Sequence, residues 1–337
     1  MKSHYSIPPY LGLNQISKTK DNYIIELGYS KRLKKKLFVD KDGMQRLTEK
    51  SQLNQDIQSE LVNENILKSD FRSNTPDNLK RYDRHMLFFQ SYNIDPLQAQ
   101  QILSKKTVAL IGMGGIGNWV SLNLIGSGFK ELRLIDFDTV ELSNLTRQVL
   151  FDETAIGMSK VKAAKKVLSN KNSQTKIVAF DQKVQGVSSL KKYLKKVDFI
   201  IVSADRPAQI HDWVNTVAVK MNIPYLNIGY RDTEGVVGPL TVPGKTSCYQ
   251  CFKEHKPHKK DKELTRIQNK WDSCYQAPSF GPLNAIISSL GAIEVIKYFT
   301  KFSECESLDT ELCFDPATFK LKKTSYQIDE NCRECCK

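Results

Sequence analysis

The stretch Thr107-Val-Ala-Leu-Ile-Gly112-Met-Gly114-Gly115-Ile-Gly117-Asn-Trp-Val-Ser-Leu-Asn-Leu-Ile-Gly-Ser127 decides the fold. Its first five residues are apolar or β-branched and end at a glycine, the pattern of a buried strand. A G-x-G-x-x-G turn follows, and then a run apolar enough for a buried helix. Glycines there permit a tight turn and close backbone approach, while the helix N-terminus offers unpaired N–H groups and partial positive charge to a phosphate. Asp136 lies 19 residues beyond Gly117, at the end of a second strand, Leu132 to Asp136, where a carboxylate accepts from ribose hydroxyls. On these residues alone a nicotinamide or flavin enzyme is the favoured reading.

Working outward, a helix is expected around Lys160 to Leu168, with strands at Lys176 to Phe180, Phe199 to Ser203 and Tyr225 to Ile228. Strand and helix alternating at this spacing imply an α/β fold with a doubly wound, mostly parallel sheet. Upstream, residues 1–78 read as a small α+β module. It has strand-like pieces at Tyr23 to Tyr29 and Lys36 to Val39, and a polar helical stretch with Leu53, Ile57, Leu61 and Ile66 at near-helical spacing. Ser73 to Asp77 reads as a linker, and a helical pattern runs on from Asp77 to Phe88. The chain of 337 residues thus divides into a module of 1–78 and a nucleotide-binding domain of 79–337.

Fifty Lys and Arg against 37 Asp and Glu give a net charge of +13, with 40% hydrophobic residues, values of a globular chain. The cations are spread along the sequence, with short clusters only at Lys34 to Lys36 and between Lys256 and Lys262. That distribution favours a small anionic ligand over nucleic acid. Charge and two prolines in the first ten residues do not suit a secretion signal, and no run approaches the roughly 20 apolar residues of a membrane span. A soluble, cytoplasmic protein is expected.

The residues after Asp136 shift the balance from hydride transfer to phosphate chemistry. Asp138, Asn144, Arg147, Gln148 and Lys160 come in quick succession, and Asp205 stands just after a strand end. A triphosphate under attack builds charge on the transferring phosphorus and the leaving pyrophosphate, and cations oppose that charge. An acidic group at a strand's carboxyl end can hold Mg²⁺ on the phosphates. Taken singly, Asp205 as a helix cap and Arg147 and Lys160 as members of surface pairs explain each residue as well; the set is what points to chemistry.

Arg81-Tyr-Asp-Arg84, the glycine turn, Asp136-Phe-Asp-Thr-Val-Glu-Leu-Ser-Asn144-Leu-Thr-Arg147-Gln148, Lys160 and Asp205 together resemble the adenylating enzymes of the ubiquitin-activating type. These include the bacterial activators for molybdopterin and thiamine synthesis. Within that superfamily the chain is most similar to the microcin C nucleotidyltransferases, through Asn144 to Phe151, Val202 to Asp205, Gly238-Pro-Leu, Val242 to Thr246 and the small N-terminal module. The resemblance implies that Gly112, Gly114, Gly115, Gly117, Asp136 and Asp138 bind nucleotide, with Asp136 on the ribose. It makes Asn144, Arg147 and Lys160 the triphosphate contacts and Asp205 the magnesium ligand, with Arg84 reaching the partner subunit's phosphates in a homodimer. The implied substrates are a short peptide ending in Asn and ATP or CTP. The peptide carboxylate becomes an acyl adenylate, its terminal amide closes to a succinimide, and the product is a peptidyl-nucleotide phosphoramidate.

Cys248-Tyr-Gln-Cys251 and Cys332-Arg-Glu-Cys335 are paired C-x₂-C knuckles, the pattern of a structural Cys₄ zinc site. Cys336 competes with Cys335 for the fourth position, and the x₂ spacing selects Cys335. Cys305 and Cys313 read as inert. Cys274 lies where related sulfur-carrier activators can use a thiol, so a sulfur-carrier adenylyltransferase is an alternative; a dehydrogenase and a noncatalytic peptide-binding scaffold are two more. The segment Phe252 to Gln276, with its lysines, His255 and His258, reads as a solvated or crossing loop. The N-terminal module is expected to clamp the peptide, by strand addition near Tyr23 to Tyr29, or else to serve dimerisation.

Overall fold

A computed structural model of the chain describes residues 5–6, 11, 13–19, 22–30, 33–39, 62, 68–254 and 278–335. The helical stretch of Leu53, Ile57, Leu61 and Ile66, together with Cys274, Cys336, His255, His258 and most of the basic segment, lies outside them. By contacts the chain separates into two compact units, 1–100 and 101–337.

The first unit is built on a three-stranded antiparallel sheet, in the order β2 (Leu13–Lys18), β3 (Tyr23–Leu27) and β4 (Lys35–Val39). A short pair joins β1 (Tyr5–Ser6) to β5 (Lys68–Ser69). Ile25, Leu27 and Leu37 alternate onto one face and, with Leu11, make the small core that the sequence suggests. Because β3 is hydrogen-bonded on both sides, it offers no free edge to an added strand; the expectation of strand addition there is corrected, and the outer strands are β2 and β4. The linker at Ser73 to Asp77 is also more ordered than its composition suggests. Asp70 caps the turn Phe71–Asn74, and a second turn of 3₁₀ helix at Asp77–Tyr82 precedes helix α1 (Asp83–Ser91). Phe71, Met86 and Leu87 form a second cluster there with Leu97 of α2 (Pro96–Leu103), so contacts group residues 71–100 with the first unit.

The second unit carries an eight-stranded sheet. β6 (Thr107–Ile111), β7 (Glu131–Asp136), β8 (Lys176–Asp181), β9 (Phe199–Val202) and β10 (Tyr225–Arg231) are parallel, in the order β10-β9-β6-β7-β8. β11 (Glu234–Thr241), β12 (Thr310–Asp315) and β13 (Lys320–Ser325) extend it as an antiparallel meander. The α/β class with a mostly parallel core sheet agrees with the sequence reading.

Register sorts the buried residues into two layers. Val108 pairs with Phe199 and Leu110 with Ile201, and Phe199 meets Tyr298 and Phe299 of helix α8 (Gly281–Thr300). On the other face Ala109, Ile111, Ile200 and Val202 pack against α5 (Val187–Tyr193) and α6 (Ile210–Met221). α3 (Gly115–Ser127) packs on α8, and α4 (Lys160–Lys171) covers β8. Full burial of all five β6 residues explains why this strand is legible as a continuous apolar run. No helix of the described residues is long and apolar enough to cross a membrane.

Candidate functional site

From β6 the chain proceeds to β7 and β8 on one side, while β9 and β10 lie on the other, so the strand order reverses between β6 and β9. Ligands of open α/β sheets bind in the crevice at such a reversal, beyond the carboxyl ends of the strands. The loop after β6 is the glycine turn, and the loop after β9 is Ser203-Ala204-Asp205. The two loops touch: a Cβ on Gly112, whose φ is +98°, would stand 2.7 Å from the Ala204 nitrogen. One on Gly117 would stand 2.1 Å from the Gly112 carbonyl oxygen. Both glycines are therefore required by the turn itself. Gly114 differs, because a Cβ there meets nothing within 4 Å among the described residues. It caps α3 without a side chain, so the first N–H groups of that helix face an open cradle that a side chain would fill. The cradle suits a polyphosphate.

Asp136 does more than the sequence suggests. Its Oδ2 accepts from the Met113 N–H at 2.6 Å and its Oδ1 from the Asp138 N–H at 2.8 Å. A carboxylate has about four acceptor positions, so it holds the turn and retains capacity for ribose hydroxyls. Asn118, which the sequence reading missed, braces the turn from inside. Fully buried, it donates to the carbonyls of Met113 at 2.8 Å and Gly114 at 3.0 Å and accepts from the Leu150 N–H at 3.0 Å. The glycine turn is thereby tied to the segment carrying Asn144, Arg147 and Gln148. A buried asparagine inside an apolar helix was the available signal.

The cationic segment is pre-ordered. Asn144 is buried in a reciprocal capping box with Glu141, its Oδ1 accepting from the Glu141 N–H at 3.2 Å. Arg147 donates from Nη1 to the Ser143 carbonyl at 2.8 Å, and its stem lies beside Gly115. Lys160 is buried, with Nζ 2.8 Å from Asp138 Oδ2, so these two residues form an ion pair. Asp205 is exposed and makes no hydrogen bond or ion pair with the described residues; α6 begins after Gln209, so Asp205 is no helix cap. A free carboxylate beside the phosphate cradle suits a hard divalent cation. Arg84 is exposed on α1, in the first unit.

The four knuckle cysteines do converge. Cys248 Sγ lies 3.9 Å from Cys251 and 3.6 Å from Cys332, and Cys251 lies 3.5 Å from Cys335. Tetrahedral zinc with bonds of ~2.3 Å sets its sulfurs about 3.8 Å apart, so the donor set fits the metal. Four thiolates would fill every position of such an ion, an arrangement that suits a structural role over an open catalytic one. Burial pushes the Cys305 thiol up to about 11, and burial with the Glu234 carboxylate pushes Cys313 up to about 12, so both are protonated and unreactive at neutral pH.

Residues 82–335 match the ThiF family. The SUMO-activating enzyme subunit 2 of Dictyostelium discoideum is 33% identical over 51% of this chain and 25% of its own length. The sulfur carrier protein ThiS adenylyltransferase of Escherichia coli is 30% identical over 64% of this chain and 80% of its own. The chain spans half or less of the length of the first curated relatives it matches. Among solved structures, E. coli MccB with ATP matches 98% of this chain and 99% of its own at 28% identity, with a TM-score of 0.78. The same protein with MccA-N7isoASN matches 99% of each chain at 28% identity, with a TM-score of 0.80. Since the family match runs from before β6 to the second cysteine knuckle, the chain belongs to the ThiF family.

Proposed function

We propose that the chain is an adenylyltransferase that activates the C-terminal carboxylate of a short Asn-terminated peptide with ATP or CTP, in the manner of the microcin C nucleotidyltransferases. The observation that carries this reading is the likeness to MccB over 98–99% of both chains, which includes the first hundred residues. In the proposed reaction a carboxylate oxygen attacks the α-phosphorus, the bond to the β-phosphate oxygen breaks, and pyrophosphate leaves with both electrons. No proton has to move in that step, which accords with a site holding cations and a phosphate turn instead of a base. The turn at Gly112, Gly114, Gly115 and Gly117 cradles phosphates, Asp136 orients the ribose, and Asn144 positions the loop of Arg147. Lys160 and Asp138 act as a charge pair beside the leaving group. Asp205 would hold Mg²⁺, which supplies positive charge to the phosphates. Arg84 is assigned to the partner subunit's site in a homodimer, residues 1–78 to peptide recognition, and Cys248, Cys251, Cys332 and Cys335 to structural zinc.

Mass spectrometry of short Asn-terminated peptides incubated with Mg²⁺ and either ATP or CTP tests the reading. A gain of one nucleotide monophosphate less one water supports adenylation, and its survival in hydroxylamine, which cleaves an acyl adenylate of the same mass, supports the full sequence to the phosphoramidate; peptides unchanged with both nucleotides overturn the reading. The curated relatives favour a second reading, a sulfur-carrier adenylyltransferase. In that case Cys274→Ala abolishes sulfur transfer and spares adenylation; on the leading reading it has little effect. Family membership weighs against hydride transfer, and stabilisation by NAD⁺ alone in a thermal-shift assay would revive it.

A further inference from the structure

The start of α8 lies against the start of α3, and one side chain between them is unaccounted for. Asn284, in the first turn of α8, is fully buried, and its Oδ1 has no hydrogen-bond partner among the described residues. Its Nδ2 presses on Gly115, where a Cβ would be 2.1 Å away, and reaches Ser279 Oγ only at 3.5 Å. Ser279 Oγ in turn lies 3.1 Å from the Tyr230 hydroxyl. Gly281, the first residue of α8, packs so tightly on the Asn144 to Gln148 turn that a Cβ would stand 2.9 Å from the Thr146 carbonyl oxygen. Phe280 gives the helix no side-chain cap.

Buried carboxamides are normally satisfied, and a helix of 20 residues, whose second position is Pro282, directs the uncapped N–H groups of Gly281 and Leu283 and its dipole at whatever lies before it. We propose that Asn284 and the N-terminus of α8 form the subsite that holds the substrate carboxylate beside the phosphate cradle at Gly114 and Gly115. The inference rests on the proposed adenylation, because only there must two anions, a carboxylate and a triphosphate, lie side by side. α3 presents its N-terminus to the phosphates and α8 presents its own to the acyl group, with Asn284 wedged between. A half-turn of the carboxamide gives up only the 3.5 Å contact with Ser279 and exchanges the free acceptor for a donor. Neutral donors orient a carboxylate without the full charge quenching of a lysine, so its oxygen keeps its nucleophilicity. After adenylation the same group faces an acyl carbonyl and, in an Asn-terminated substrate, a carboxamide that pairs with it donor to acceptor.

Paired non-hydrolysable probes test the subsite: N-acetyl-asparaginyl sulfamoyl nucleoside and the unacylated sulfamoyl nucleoside, each made with adenosine and cytidine and titrated calorimetrically. The full-length wild type is expected to bind the acylated probe at least tenfold more tightly than the unacylated one. Asn284→Ala is expected to reduce that ratio to within threefold while affinity for the unacylated probe stays within twofold. A ratio that survives in Asn284→Ala, a wild-type ratio near one, or equal losses for both probes would overturn the subsite. Failure of the wild type to bind any probe would instead count against the nucleotide reading itself. Should Asn284→Ala not fold by circular dichroism, Ser279→Ala, at an exposed position, replaces it, with at least a threefold fall in the ratio required.

Discussion

Asp205 and Asn118 face each other in role across the glycine turn, one exposed and unbonded, the other buried with three hydrogen bonds. Removing the first sacrifices no packing. Asp205→Ala is therefore expected to melt within about 2 °C of the wild type, while peptide-dependent pyrophosphate release falls by two orders of magnitude or more. Asn118→Ala leaves the carbonyls of Met113 and Gly114 and the Leu150 N–H without their partner, and should cost about 2–4 kcal/mol in urea unfolding. Equal melting losses in the two variants would sink this division of labour. Sequence exposed Asp205 through its place after a strand, whereas it marks Asn118 only as a polar residue in an apolar helix, and the role appears when Leu150, distant in sequence, passes beside it. Lys160 shows the opposite limit. Its position was legible, but its pairing with Asp138 was not, because an ion pair depends on where two loop ends meet.

At the scale of elements, β7 begins with Glu131, buried at 7% exposure and bonded to Arg133 at 2.6 Å and Lys176 at 3.1 Å. Burial pushes its carboxyl up, but the two cations more than offset this and hold it below the ordinary range. A depressed carboxyl stabilises the fold above its unfolded pKa and loses that contribution as pH falls through the folded value. Glu131→Gln should thus cost about 1–3 kcal/mol at pH 7 and progressively less below about pH 4.5, read from urea unfolding at both pH values. A penalty unchanged at low pH would place its origin in packing. The four knuckle cysteines act on another element, bringing α7 (Tyr249–Glu254) to the chain's last described turn, where the proposed zinc would join them. Cys332→Ser should lower bound zinc from one per chain to below about 0.3 by atomic absorption, and a chelator should lower the wild-type melting temperature but not that of the variant. The buried strands β6 and β9 and helix α8 were legible as apolar runs. The meander β11 to β13 was not: β13 is mostly exposed, and the hairpin from β10 turns at Asp232, φ +53°, without the glycine that usually marks such a turn.

For the whole molecule, the proposed homodimer makes a demand that no single chain can meet. If Arg84 serves the partner's phosphates, Arg84→Ala and Asp205→Ala homodimers are each inactive for different reasons. In a heterodimer of the two, the site with intact Asp205 receives the intact Arg84 of the other chain, whereas the second site lacks both. Random reassortment of equal amounts makes half the dimers mixed, each with one working site in two, so activity should recover to about a quarter of wild type through the two-fold symmetry of the pair. An arginine acting within its own chain leaves every site in the mixture missing one group, and activity stays at the level of the separate variants. The mixture must be unfolded and refolded, or co-expressed, so that subunits exchange, and size-exclusion chromatography should show a dimer in every sample. Recovery after exchange, and none on simple mixing, is the outcome that assigns each reaction centre to two chains.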